Sequence, residues 1–122
     1  MPTILIVDDD PNNQRMLSYT LRKAGYEVRV AANGQLGLDT LHEFLPDMAI
    51  LDLAMPVMDG MTLLRHIRAD EHLRPVPVII LTASGDDMAH IAVQNAGANG
   101  FLTKPTSSRA LIEMVQKILQ PA

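Results

Sequence analysis

Four places in this chain put a reactive or charge-bearing side chain directly after an apolar run. Asp8, Asp9 and Asp10 are consecutive and follow Thr3 to Val7. Asp52 comes late in Ala49-Ile50-Leu51-Asp52-Leu53-Ala54-Met55-Pro56, a run that then breaks at proline. Thr82 closes a third run with a hydroxyl, and Lys104-Pro105 follows a fourth with an ammonium. A short carboxylate at a strand's carboxyl end is held by rigid backbone yet faces solvent, which suits a weak nucleophile that must be approached along one line. Asp52 is therefore read as a phosphate acceptor.

Hydrophobic periodicity defines the elements that must bring these groups together. Thr3 to Val7 reads as a strand, and Pro11 fits the first turn of a helix whose apolar stripe includes Leu17, Leu21 and Ala24 and which Gly25 closes. Glu27 to Ala31 alternates as an edge strand does. Asn33 can cap a second helix carrying Leu38, Leu41 and Leu45 inward, ended by Pro46. Asp47 to Leu51 is the third strand, Asp59 caps a third helix over about Gly60 to Asp70, and Pro77 to Leu81 is a fully buried fourth strand.

The remaining elements are less emphatic. From Asp86 to Ala96 the apolar positions Met88, Ile91 and Ala92 form a thin stripe, so the fourth helix is expected to be loosely held before Gly97 stops it. A brief strand from Asn99 to Leu102 follows, then a helix from about Ser107 to Leu119 with Leu111, Val115, Ile118 and Leu119 inward. Ile112 and Met114 widen that last stripe, which suggests a face of helix 4, strand 5 and helix 5 that meets a partner.

Five strands alternating with five helices predict an α/β fold, a doubly wound parallel sheet filling residues 1–122 as one domain, with strand order 2-1-3-4-5. That order sets the loops after Val7 and Leu51 face to face across a crevice. Two full charges roughly 5 Å apart repel by roughly 3 kcal/mol at an effective dielectric of 20, so Asp8, Asp9 and Asp52 call for a cation. Oxygen ligands without His or Cys favour magnesium over zinc. Thr82 and Lys104 would supply donors and positive charge on the other side of a transferred phosphoryl group.

Composition narrows the function classes. The 122 residues contain no cysteine, which removes thiol redox chemistry, zinc-thiolate sites and disulfide scaffolds. Fourteen acids against ten Lys and Arg, with 3% aromatic residues, argue against direct nucleic-acid contact. Neither a membrane-length apolar run nor a signal peptide is present in the sequence, and a cytoplasmic location is the expectation.

The ordered set Asp8-Asp9, Asp52, Met55-Pro56, Asp59-Gly60, Thr82-Ala83 and Lys104-Pro105 resembles the response-regulator receiver domain, and the likeness runs from end to end. The resemblance implies a flavodoxin-like fold and a phosphorylatable switch rather than a general enzyme. It implies that Asp52 accepts a phosphoryl group from a sensor histidine kinase or a histidine phosphotransfer protein. Magnesium would be bound by Asp9, Asp52 and the main-chain carbonyl of Ala54, with Asp8 orienting its waters. Thr82 and Lys104 would hold the phosphoryl oxygens, Phe101 would change rotamer on activation, and the Lys104-Pro105 bond would be cis. A downstream effector or fused output domain, and homodimerisation through helix 4, strand 5 and helix 5, are further expectations.

The chain departs from the family pattern at Thr106, where phenylalanine is frequent. Ala54 and Ser84, at positions that tune acyl-phosphate hydrolysis in relatives, are both small, which predicts an ordinary phosphate lifetime. Plainer readings attach to other residues. Asp10 is a helix cap, Ser107 and Ser108 cap the last helix, and Met55, Met58 and Met61 form a packed latch. His42, His66, His72 and His90 read as surface residues. Two rival functions remain open at this point. A flavin carrier would need a hydroxyl- and glycine-rich loop where Asp8-Asp9-Asp10 stands, and an aspartyl phosphatase would want an acid where Ala54 stands.

Overall fold

Apolar runs such as residues 4–7 have no polar side chain to offer either face, so they are stable only as strands covered on both sides. A computed structural model, which describes residues 1–83 and 87–119, shows this arrangement. The elements in chain order are β1 (Thr3–Val7), α1 (Pro11–Lys23), β2 (Glu27–Ala31), α2 (Gly34–Glu43), β3 (Met48–Asp52), α3 (Gly60–Ala69), β4 (Val78–Thr82), α4 (Asp87–Asn95), β5 (Gly100–Thr103) and α5 (Ser108–Leu119). The five strands are parallel in the order β2-β1-β3-β4-β5, as expected.

Strand alternation divides the core between the two faces. Leu5, Val7, Ala49, Leu51, Val78 and Ile80 pack with Leu41 of α2, Leu63, Leu64 and Ile67 of α3 and Val93 of α4. Ile4, Ile6, Met48, Ile50, Ile79 and Leu81 pack on the opposite face with Leu17 and Leu21 of α1 and Leu111 and Val115 of α5. Each such buried aliphatic side chain contributes about 1.5–3 kcal/mol of transfer free energy, which holds the strand ends in register beneath the site.

Local signals set the helix ends. The side chains of Asp10, Asn33 and Asp59 accept from the main-chain N–H groups of Asn12, Leu36 and Thr62, and Ser107 Oγ accepts from Ala110 N–H. Gly25, at φ 100°, takes the left-handed turn after α1. Arg68 fixes the entry to β5: its guanidinium donates to the carbonyls of Gly97 and Val76 and to Asn99 Oδ1, at 2.7–2.9 Å.

Several expectations are corrected. Strands β3, β4 and β5 each sit one residue later than the sequence runs suggested; just before β3 and β5 the side chains of Asp47 and Asn99 accept from Thr3 N–H and Val78 N–H. Asp52 and Thr82 consequently occupy the last ladder positions, opposite Leu81 and Thr103. Helix α2 stops at Glu43, before Pro46, because Phe44 turns extended and sets its ring 4.3 Å from the Arg29 guanidinium. Leu45 is therefore exposed instead of inward, and Ala24, as the cap of α1, is exposed too.

Helix α4 is rotated relative to its expected phase. Met88 and Ile91 are 73% and 52% exposed and Ala92 is exposed, while Val93 is buried and Ala96 packs beside it. The sheet selects the Val93 and Ala96 stripe because those side chains fit under β4 and β5. Ile112 lies beside Tyr19 and Thr20 of α1, and Met114 packs its sulfur against Gly100, so neither simply extends an outer face. The Met55, Met58 and Met61 latch forms against the first core, as expected. Ser84 and Asp86, singled out in the sequence, lie outside the described residues.

Candidate functional site

The carboxyl ends of β1 and β3 are neighbours in the sheet, so the side chains that follow them converge. Asp8, Asp9 and Asp52 each offer one carboxylate oxygen, all within 4.8 Å of one another. Asp8 and Asp52 are buried and Asp9 is exposed. At that spacing each like-charge pair repels by about 3 kcal/mol at an effective dielectric of 20.

Lys104 answers part of this charge. Its Nζ lies 3.0 Å from Asp52 Oδ1 and 3.4 Å from Asp8 Oδ2. Position comes from β5 and from the Lys104 N–H bond to the Thr82 carbonyl at 2.7 Å; the peptide from Lys104 to Pro105 is cis, as expected. Thr82 is buried at the end of β4. Asp52, Leu53, Ala54, Thr82, Ala83 and Lys104 line one open cleft of about 370 Å³.

Burial pushes the Asp52 carboxyl above its ordinary range; the Lys104 bond and charge pull it back, and Asp8 and Asp9 push it up further. Burial alone would lower Lys104, yet its bond to Asp52 and the charges of Asp52 and Asp8 win and raise it. One ammonium facing three carboxylates leaves the site electron-rich. The donor set is all oxygen, with neither His nor Cys among the described residues of the cluster, and this fits a hard divalent cation.

The loop between β3 and α3 is tightly bound to the strand ends. Leu53 N–H donates to the Leu81 carbonyl, Gly60 N–H to that of Leu53, and Met58 N–H to that of Pro56 across Val57, which is held at φ 73°. Gly60 is required by space: a Cβ there would fall 2.3 Å from the Asp52 carbonyl oxygen and 2.9 Å from Leu53 Cα. Gly60→Ala is expected to lower stability by about 3 kcal/mol, since the clash is with backbone. Urea denaturation checks this, and an unchanged midpoint would contradict the close approach.

Two amides missed in the sequence hold Asp8. Asn13 Nδ2 donates to Asp8 Oδ2 and Gln14 Nε2 to the Asp8 carbonyl, while Asp10 N–H donates to Asp8 Oδ1 at 2.9 Å. The signal was the acid-free first turn Pro11-Asn12-Asn13-Gln14, whose amides can fold back over the strand end. Phe101, half-buried on β5, stacks against His90 with ring centroids 3.8 Å apart. His90 is thus no free surface residue, whereas His42, His66 and His72 are exposed.

Comparison with known proteins agrees with this geometry. The sequence pattern of the response regulator receiver domain matches residues 4–116. The chain belongs to the response regulator receiver domain family. The DNA-binding dual master transcriptional regulator RpaA of Synechocystis is 38% identical over 98% of this chain and 50% of its own length. This receiver spans about half the length of the first curated relatives it matches. Chemotaxis protein CheY of Pseudomonas aeruginosa is 37% identical over 96% of this chain and 95% of its own. A solved structure superposes with a TM-score of 0.89 at 34% identity, covering 97% of both chains. It is the receiver domain of sensor histidine kinase PA1611 from Pseudomonas aeruginosa, with a magnesium ion coordinated in the active site cleft. No described helix of the present chain is long and apolar enough to cross a membrane.

Proposed function

We propose that this receiver is a phosphorylatable switch of a two-component or phosphorelay system, with Asp52 as the acceptor and residues 1–122 acting as one domain. The observation that carries the reading is the meeting of three carboxylates within 4.8 Å with Lys104 Nζ 3.0 Å from Asp52. A sensor histidine kinase or phosphotransfer protein presents a phosphohistidine. An Asp52 oxygen attacks phosphorus, a P–O bond forms as the P–N bond breaks, and the imidazole nitrogen keeps the electron pair and takes up a proton. Asp9, Asp52 and the Ala54 carbonyl would hold magnesium, with Asp8 orienting its waters. Bound there, the cation neutralises charge on the phosphoryl oxygens as they approach the acids.

The chain's own groups do the rest. Lys104, in place beside Asp52, binds one new oxygen and the Thr82 hydroxyl another. Their pull on the ends of β4 and β5 favours an active arrangement of α4 and Phe101, whose ring already leans on His90. The exposed Met88 and Ile91 of α4 then belong to an output face with β5 and α5, read by an effector, a fused output domain or a second copy. The receiver works in the cytoplasm without touching nucleic acid itself, and the small Ala54 leaves the acyl phosphate an ordinary lifetime. A half-life of many hours with magnesium present would contradict that last point.

A stoichiometry assay tests the switch reading. With a phosphoramidate donor and magnesium, occupancy should level off at no more than one phosphoryl group per chain, lost again by hydrolysis when the donor is removed; sustained turnover of small phosphate esters would favour a phosphatase instead. Magnesium should also stabilise the unphosphorylated protein. At tenfold excess over its Kd the gain is about 1.4 kcal/mol, a rise on the order of 5 °C in melting temperature. Loss of that rise in Asp9→Asn is expected, and an equal rise in both proteins would place the cation elsewhere.

A further inference from the structure

A second cleft lies away from the acids. It measures about 570 Å³ and runs along the side of α1 that faces β2, between Gln14 and Lys23, with Val30 at its far wall. Helix α1 carries Arg15, Arg22 and Lys23 and no acid, in a chain whose formal charge is -4. Arg15, Tyr19 and Arg22 fall on one face of the helix by their spacing. Among the described residues none of the three cations is ion-paired. Arg15 donates to Asn12 Oδ1, Arg22 makes a 3.4 Å contact to the Val28 carbonyl, and Lys23 Nζ lies 5.6 Å from the Tyr19 ring centroid.

The same cleft offers apolar surface and open backbone. Tyr19 is 66% exposed and Val30 42%. Strand β2 is the sheet edge, and its Glu27 N–H and Ala31 carbonyl turn toward β1, bonding Pro2 and Asp8. By alternation Val28 and Val30 turn their main-chain groups outward; the Val28 carbonyl already meets Arg22, and the groups of Val30 lie where an extended segment can pair with them. The geometry points to a docking site for an acidic, extended peptide segment of a partner protein, with one apolar side chain lodged over Tyr19 and Val30. Unpaired cations supply the charge complementarity, and three of them beside an apolar wall fit a short carboxylate-bearing segment better than a nucleic-acid backbone. Gln14 lines the cleft and also bonds the Asp8 carbonyl, so the occupant lies one side chain away from the acid cluster.

Selection from a display library of short random peptides, on the intact receiver at low salt, tests the site. Enriched peptides should carry several carboxylates around one apolar residue, shift the backbone amides of Tyr19, Arg22 and Val30 in NMR spectra, and weaken as salt rises. Arg15→Glu with Arg22→Glu should reduce their affinity by about tenfold or more while magnesium-dependent phosphoryl uptake stays unchanged. Lack of acidic enrichment, equal binding to the charge-reversed protein, or displacement by duplex DNA from the same amides would each overturn the proposal.

Discussion

Asp52→Asn is expected to abolish phosphoryl uptake from a phosphohistidine or phosphoramidate donor while leaving the fold intact. The amide matches the carboxylate in shape but is not a nucleophile, so no other change in the site is needed for the loss. A second outcome separates this from simple damage. Burial and the neighbouring Asp8 and Asp9 charges push the Asp52 carboxyl upward despite Lys104, which means that the ionised group strains the metal-free site. The Asn variant should therefore melt higher than the parent in chelator and gain less than the parent from magnesium. Thermal melts with and without magnesium, beside phosphoryl labelling, check both. A variant that labels normally, or that melts well below the parent in chelator, contradicts the reading.

Lys104→Met gives the other large effect. The ammonium reaches Asp52 at 3.0 Å and Asp8 at 3.4 Å, so its removal leaves two buried carboxylates facing each other beside Asp9. Breaking a deeply buried pair costs about 3–5 kcal/mol. Here the Lys104 side chain is 25% exposed, which lowers the expected loss in chelator to about 2 kcal/mol. Magnesium should recover much of it. Phosphoryl transfer should slow by about 10²–10³, the cost of removing one preorganised group that meets the transferred oxygens. Single-turnover labelling measures the rate and urea denaturation the stability; a rate within twofold of the parent, as an order-of-magnitude bound, would remove Lys104 from the mechanism.

Most of the site was legible because it is built on strand ends. Apolar runs such as Val78–Thr82 admit one backbone solution, and a polar residue ending such a run must emerge at one rim of the sheet. Asp8, Asp52, Thr82 and Lys104 could be placed in this way before any contact was known. The phase of α4 could not, because Met88, Ile91 and Ala92 compete with Val93 and Ala96 at the same helical period, and only the packing beneath β4 and β5 chooses between them. Stacking of His90 on Phe101 follows from that choice. The amides of Asn13 and Gln14 on Asp8 were hidden for a different reason: polar residues in a first helical turn ordinarily face water, and here the turn folds over a strand end. Exposure of Leu45 likewise depends on Phe44 leaving the helix to meet Arg29, a contact between elements distant in sequence.

The most direct measurement maps the modified residue on the unaltered protein. After incubation with a phosphoramidate and magnesium, the acyl phosphate is reduced with borohydride and the peptides are read by mass spectrometry. The account predicts one modified residue, Asp52, and its disappearance when magnesium is chelated. Modification at another residue, or equal modification of Asp52 in chelator, would contradict it.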